Sequence, residues 1–127
     1  MSQAMSSFFT RENAERGIKV PLALPNGEKT EHYLMIRGVD SVEFQRADQE
    51  MRRQVRETLL LPEKEQQPAQ EKLVRELQAS LVISWSFEEP CTIESVSNFF
   101  YEAPHIGSAV DRAASNRKLF MTGTAGD

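Results

Sequence analysis

The sequence predicts an α+β fold, mainly α: an N-terminal β-hairpin followed by a small bundle of about four helices, in one domain of 127 residues. Three observations predict it. Ile18, Val20, Leu22 and Leu24 alternate, and a Pro25-Asn26-Gly27 turn signal separates them from a second apolar run. Beyond Gly38 the apolar residues recur at three- and four-residue steps instead. Prolines at 62, 68, 90 and 104 then divide that helical stretch into pieces.

The N-terminal stretch, residues 1–10, is small and polar and reads as loosely ordered, except for Phe8 and Phe9. That aromatic pair has two readings: docked on the chain's own core, or offered to a neighbour. Residues 11–38 form the hairpin region. Its strands run from Ile18 to Leu24 and from about Glu31 to Arg37. A two-residue turn at Asn26-Gly27 would pair Pro25 with Glu28 and Pro21 with His32, leaving both prolines where a ladder N–H is needed. The loop is therefore expected to be longer, or the ladder interrupted at Pro21. Two strands alone are marginal in water, so the hairpin must lie on the helices or on another subunit's edge.

Residues 39–121 read as helical. Asp40 is placed to cap the first helix, with Glu43 at capping-box spacing. Phe44, Ala47, Met51, Val55 and Leu59 share one face, and Pro62 ends the helix after about Leu61. The other face mixes Arg46, Arg52, Arg53 and Arg56 with Glu43, Glu50 and Glu57, the usual pattern of a solvated face with ion pairs. Residues 62–68, PEKEQQP, read as a polar linker. A second helix starts at Ala69, with Leu73, Leu77 and Leu81 at steps of four. Residues 81–87 also alternate like a strand, but the phase of the preceding turns favours helix to about Trp85. Thr92 can cap a third helix, on which Ile93, Val96, Phe99 and Phe100 share a face. Pro104 stops that helix or starts the next. Ile106, Val110, Ala113, Arg117 and Phe120 then step as a narrow helix-packing seam. Residues 122–127 read as a flexible tail.

Composition narrows the function classes. The net charge is −4, and a mildly acidic chain is a poor non-specific nucleic-acid binder, because phosphate contact needs a concentrated basic face. The single cysteine, Cys91, excludes a disulfide within the chain and fits a reducing compartment. No signal-peptide pattern occurs at the N-terminus, and no stretch approaches the ~20 apolar residues that span a bilayer. These features predict a soluble cytoplasmic protein. His32 and His105 stand alone, so no metal site is expected. Glycine-rich phosphate loops and nucleophile elbows are absent, so neither a cofactor nor a catalytic residue is expected.

The order of the parts resembles the tail assembly chaperones of long-tailed, lambda-like bacteriophages, from about Ile18 to Phe120. The residues that carry the resemblance are Gly38 to Phe44 (GVDSVEF), Ser84-Trp85-Ser86, the pair Phe99-Phe100, then Pro104, Ile106 and Val110, and finally Asp111 to Phe120 (DRAASNRKLF). The resemblance implies a helix-rich, non-catalytic protein. Such a protein acts in the host cytoplasm, coats and solubilises the tape measure protein, helps bring tail tube subunits to it, and is absent from the finished virion. It also implies self-association into arcs or rings, and a longer form made by ribosomal frameshifting that meets the tube protein. No family residue role transfers firmly.

Chemistry nominates the partner contacts. Binding a long helical partner needs exposed apolar anchors. Phe87, Tyr101, Arg117, Phe120, Phe8 and Phe9 are the candidates, whereas Ile93, Val96, Phe99 and Ile106 are expected to pack on the chain's own helices. Two other classes compete. One is a small nucleic-acid-binding regulator using the four arginines Arg46, Arg52, Arg53 and Arg56; the other is a structural tail or connector protein.

Overall fold

A computed structural model describes residues 4–122. Among them are three strands, β1 (Ile18–Ala23), β2 (Lys29–Ile36) and β3 (Val82–Trp85). The helices are α1 (Arg11–Arg16), α2 (Val42–Thr58), α3 (Glu63–Ala79), α4 (Ile93–Glu102), α5 (Pro104–Ser115) and α6 (Arg117–Thr122). The fold is α+β and mainly α, with the hairpin first and helices after it, as the sequence predicts. A 3-10 turn at Met5–Phe8 precedes α1 and buries none of its residues. The chain beyond Thr122, where the sequence suggests a flexible tail, lies outside the described residues.

The hairpin loop is longer than two residues, and the ladder shifts register just past Pro21. Pro21 sits opposite Tyr33. Tyr33 donates its N–H to the Ser86 hydroxyl (2.9 Å) and accepts from the Ser86 N–H (3.1 Å), so its backbone bonds toward β3. Pro21, across from it on the edge strand, therefore needs no ladder N–H. Two residues are added to β2 between these pairs, and there the Thr30 hydroxyl donates to the Leu22 carbonyl at 2.8 Å.

The sheet is antiparallel in the order β1-β2-β3. Ile18, Val20, Leu22, Leu34, Ile36 and Val82 form its buried face. Val96, Phe100, Ile106, Val110, Ala114 and Phe120 from the C-terminal helices complete the core. Each large side chain buried there stabilises by about 1.5–3 kcal/mol.

Five sequence expectations need correction. Residues 82–85 are a strand, not the end of a helix. The helix stops at Ala79, and Val82, Ser84 and Trp85 pair with β2, whose second edge would otherwise be open. Ser84-Trp85-Ser86 therefore lies on and just after a strand, so that motif does not sit at a helix end. The segment 62–68 is not a linker: α3 begins at Glu63, with Pro62 as its N-cap and Pro68 inside it. Glu63 and Glu65 suit the first turn. Gln66 donates to the Leu61 carbonyl at 3.1 Å, tying the turn shut. Residues 11–38 contain α1 as well as the hairpin. Ser41, not Asp40, caps α2: its buried hydroxyl accepts from the Phe44 N–H at 3.1 Å. The seam of the last helices breaks at Asn116, and Ala114 is buried in the core with Ala113 packed half-buried against it.

α2 and α3 form a helical hairpin. Phe44, Ala47, Met51 and Val55 are half-buried, and Leu59 is exposed. Buried Thr58 accepts from Gln70 across the pair at 2.9 Å. α4 begins with a reciprocal capping box between Thr92 and Ser95. Ile93, expected to pack inward, stands 46% exposed at its start.

Candidate partner-binding surface

The six nominated residues do not converge. They separate into four places with different burial. Phe120 is in the core at 6% exposure, so it offers nothing to a partner while α6 is docked. Its ring rests where Gly38 has no side chain: a Cβ there would stand 3.2 Å from Phe120 Cζ and 3.0 Å from Ala14 Cβ. Arg117 is exposed but engaged. It donates Nε to Asp40 Oδ2 (2.6 Å) and Nη2 to Asp40 Oδ1 (2.9 Å), a two-pronged fork. The Arg117 hydrogen bonds hold the Asp40 carboxyl below its ordinary range, helped by Thr10 and Arg11 and opposed by partial burial.

Phe87 is half-buried in an aromatic cluster. It stacks on His32 at 4.4 Å and meets Trp85 (5.2 Å) and Phe99 (5.3 Å) edge-on. Trp85 Nε1 donates to the Glu89 carbonyl at 2.7 Å, which fixes the loop after β3. These contacts occupy the ring, and Phe87 is a structural residue rather than a free anchor. Cys91, on the same loop, has its thiol pushed up by burial and is no activated nucleophile.

Tyr101, Phe8 and Phe9 remain outward. Tyr101 is 64% exposed although its neighbour Phe100 is buried at 2%. Helical geometry explains the split: adjacent residues differ by about 100° around the axis. The Arg75 guanidinium lies 4.8 Å from the Tyr101 ring centre and holds the ring against α3. Beside this pair an open groove of about 500 Å³ runs between α3, α4 and α5. Val74, Tyr101 and Pro104 give it an apolar strip, and Gln67, Gln70 and Gln78 give it amide groups. Phe8 and Phe9 lie at 74% and 62% exposure beside Met5 at 79%, and so do not dock on the chain's own core.

Sequence reasoning missed two apolar surfaces. Val74 is 47% exposed at the groove; it was visible only as a residue beside the leucine row of α3. Leu59, Leu60 and Leu61 stand exposed at the α2–α3 tip, with Leu60 at 88%. An apolar triplet before a proline reads as the buried end of a helix, and no local signal marks it as a tip.

Two of the four arginines named on α2, Arg52 and Arg53, form ion pairs on their own helix. Arg52 pairs with Asp48 at 3.1 Å, and Arg53 bridges Glu50 and Glu57. The Glu50 carboxyl is lowered by its hydrogen bond from Arg53. No group of three or more His, Cys, Asp or Glu that could hold a metal occurs among the described residues. No described helix is long and apolar enough to cross a membrane. Comparison with protein-family models, curated proteins and solved structures finds no match.

Proposed function

We propose that the chain is a non-catalytic phage tail assembly chaperone that holds the tape measure protein in solution through the α3–α4–α5 groove. The observation that carries this reading is the pairing of exposed Tyr101 and Val74 along an open groove bordered by glutamine amides. An amphipathic helix fits such a groove, its apolar residues on the strip and its backbone flank beside the amides. The exposed Met5, Phe8 and Phe9 supply a second contact on the same long partner. The motif order from Gly38 to Phe120 supports the family assignment, although Ser84-Trp85-Ser86 contributes less now that it lies on a strand. In this reading the protein works in the host cytoplasm as a homo-oligomer. A longer frameshifted form meets the tail tube protein, and neither form enters the virion.

Co-expression with a tape measure protein tests it. The expected result is a soluble complex that is lost on Val74→Asp. A tape measure protein that stays insoluble and unbound refutes the proposal. Recovery of the chain from purified virions would replace it with a structural tail component. A nucleic-acid regulator is disfavoured by the net charge of −4 and by the ion pairs that engage Arg52 and Arg53.

A further inference from the structure

The α2–α3 hairpin carries an apolar seam that its own two helices only half cover. Among the described residues, Thr58 is the one buried residue from Gln45 to Gln78; every apolar side chain in that stretch is half-buried or exposed. Phe44 at the start of α2 packs on the core and Ala79 at the end of α3 enters it, while the apolar residues between them do not join it. Two hollows, of about 250 and about 500 Å³, run along the seam and join, since Gln54, Leu73 and Glu76 line both. Together they make one groove over about four turns of α2, floored by Ala47, Met51, Leu73 and Leu77. Ile93 stands at one end, 46% exposed, and Leu61 at the other, 40% exposed.

Three features fit this groove to a second hairpin of the same kind. Its two halves share a middle at Gln54, Leu73 and Glu76, so a two-fold axis there brings the Leu61 end of one copy to the Ile93 end of the other. Lys72 and Glu76 stand one turn apart at that middle, and the same axis sets each lysine against the other copy's glutamate. Within one helix, a lysine four residues before a glutamate is the less favourable order, which suits the two charges to bonding across the axis. On the α2 rim, Glu50 and Glu57 are both bridged by Arg53, which eases the approach of a copy with the same net charge of −4.

We infer that this groove is a dimer interface: a second copy of the chain lays its own α2–α3 hairpin into it about a two-fold axis, closing a four-helix bundle. Such a contact is self-complementary, uses each surface once, and does not extend into a ring. It lies on a different side of α3 from the Val74–Tyr101 groove, so the dimer and the chaperone reading stand or fall separately.

Sedimentation equilibrium of the full chain tests the inference, with circular dichroism as the check on folding. A dimer is expected at micromolar concentration. Lys72→Glu and Glu76→Lys should each keep the fold and raise Kd about tenfold or more, because each sets like charges across the axis. Mixing the two variants should restore the dimer, since every charge then meets its opposite. Lys64→Glu, the same charge change at an exposed site on α3 outside the groove, should leave Kd unchanged. A monomer throughout, an assembly unmoved by either charge reversal, equal weakening by Lys64→Glu, or a mixture no tighter than the single variants would each overturn the inference.

Discussion

Phe100 and Tyr101 are sequence neighbours on α4, yet the fold gives them opposite tasks, and substituting each by alanine separates the two. Phe100 is 2% exposed in the centre of the core. Removing a buried phenylalanine costs about 3–5 kcal/mol. For a domain of this size each kcal/mol shifts Tm by roughly 3–6 °C, so Phe100→Ala should lower Tm by about 9–30 °C. Tyr101 is 64% exposed, and its defined contact is the Arg75 guanidinium. Losing that contact at a surface site costs about 0.5–1 kcal/mol, a few degrees at most. Thermal unfolding followed by far-ultraviolet circular dichroism measures both variants, and urea titration checks that the midpoint moves without a change in slope. The soluble fraction of a co-expressed tape measure protein should fall with Tyr101→Ala while the variant itself stays folded. Two results would refute the reasoning. Destabilisation by Tyr101→Ala as large as by Phe100→Ala would make Tyr101 a packing residue. Unchanged partner solubility in a folded Tyr101→Ala protein would remove the groove from the contact.

Three further outcomes follow from single sites. Ser41→Ala removes the α2 cap and should cost about 1 kcal/mol in urea titration, whereas Asp40→Asn should leave the cap intact and weaken the fork with Arg117. Gly17→Ala should cost about 2 kcal/mol or more in the same titration, because φ is +83° and the new Cβ would stand 2.6 Å from the Ile36 carbonyl oxygen. Asp40 has a carboxyl lowered from its ordinary 3.8, so its contribution is complete above that value and is lost as pH falls through the depressed one. The gap in urea midpoint between the unsubstituted chain and Asp40→Asn should therefore stay constant from neutral pH down to about pH 4 and close below it.

The class of the fold was legible because alternation and helical periodicity mark buried faces directly. Ile18, Val20 and Leu22 on β1, and Val96 and Phe100 on α4, are buried as their spacing requires. Pro21 was legible too, since a missing donor restricts where the ladder can bond. What could not be read locally was settled by distant partners. Residues 82–85 fit helix phase and strand alternation equally, and the open edge of β2 decided between them. The segment 62–68 looked like a linker because of its two prolines. Pro62 precedes the helix, however, where no donor is needed, and Pro68 lies near enough to its start to be carried by the turns after it.

The candidate surface was legible at Tyr101 and misleading at Phe120, and the reason is the same in both cases. Whether a helical aromatic residue is covered is decided by elements distant in sequence, not by its own neighbours. Burial of Phe120 depends on Gly38 and Ala14, which are more than eighty residues away and small enough to leave room for a ring. Exposure of Tyr101 depends on α3 presenting Val74 and Arg75 beside it rather than over it. Arg117 shows how the two ends connect. It was nominated as a partner contact, and its guanidinium is engaged by Asp40, the residue expected to cap α2. Ser41 caps α2 instead, which leaves Asp40 free to grip α6. The misplaced cap and the unforeseen ion pair therefore have one origin. Both follow from reading Asp40 by its neighbours in sequence rather than by the cation that the fold brings to it.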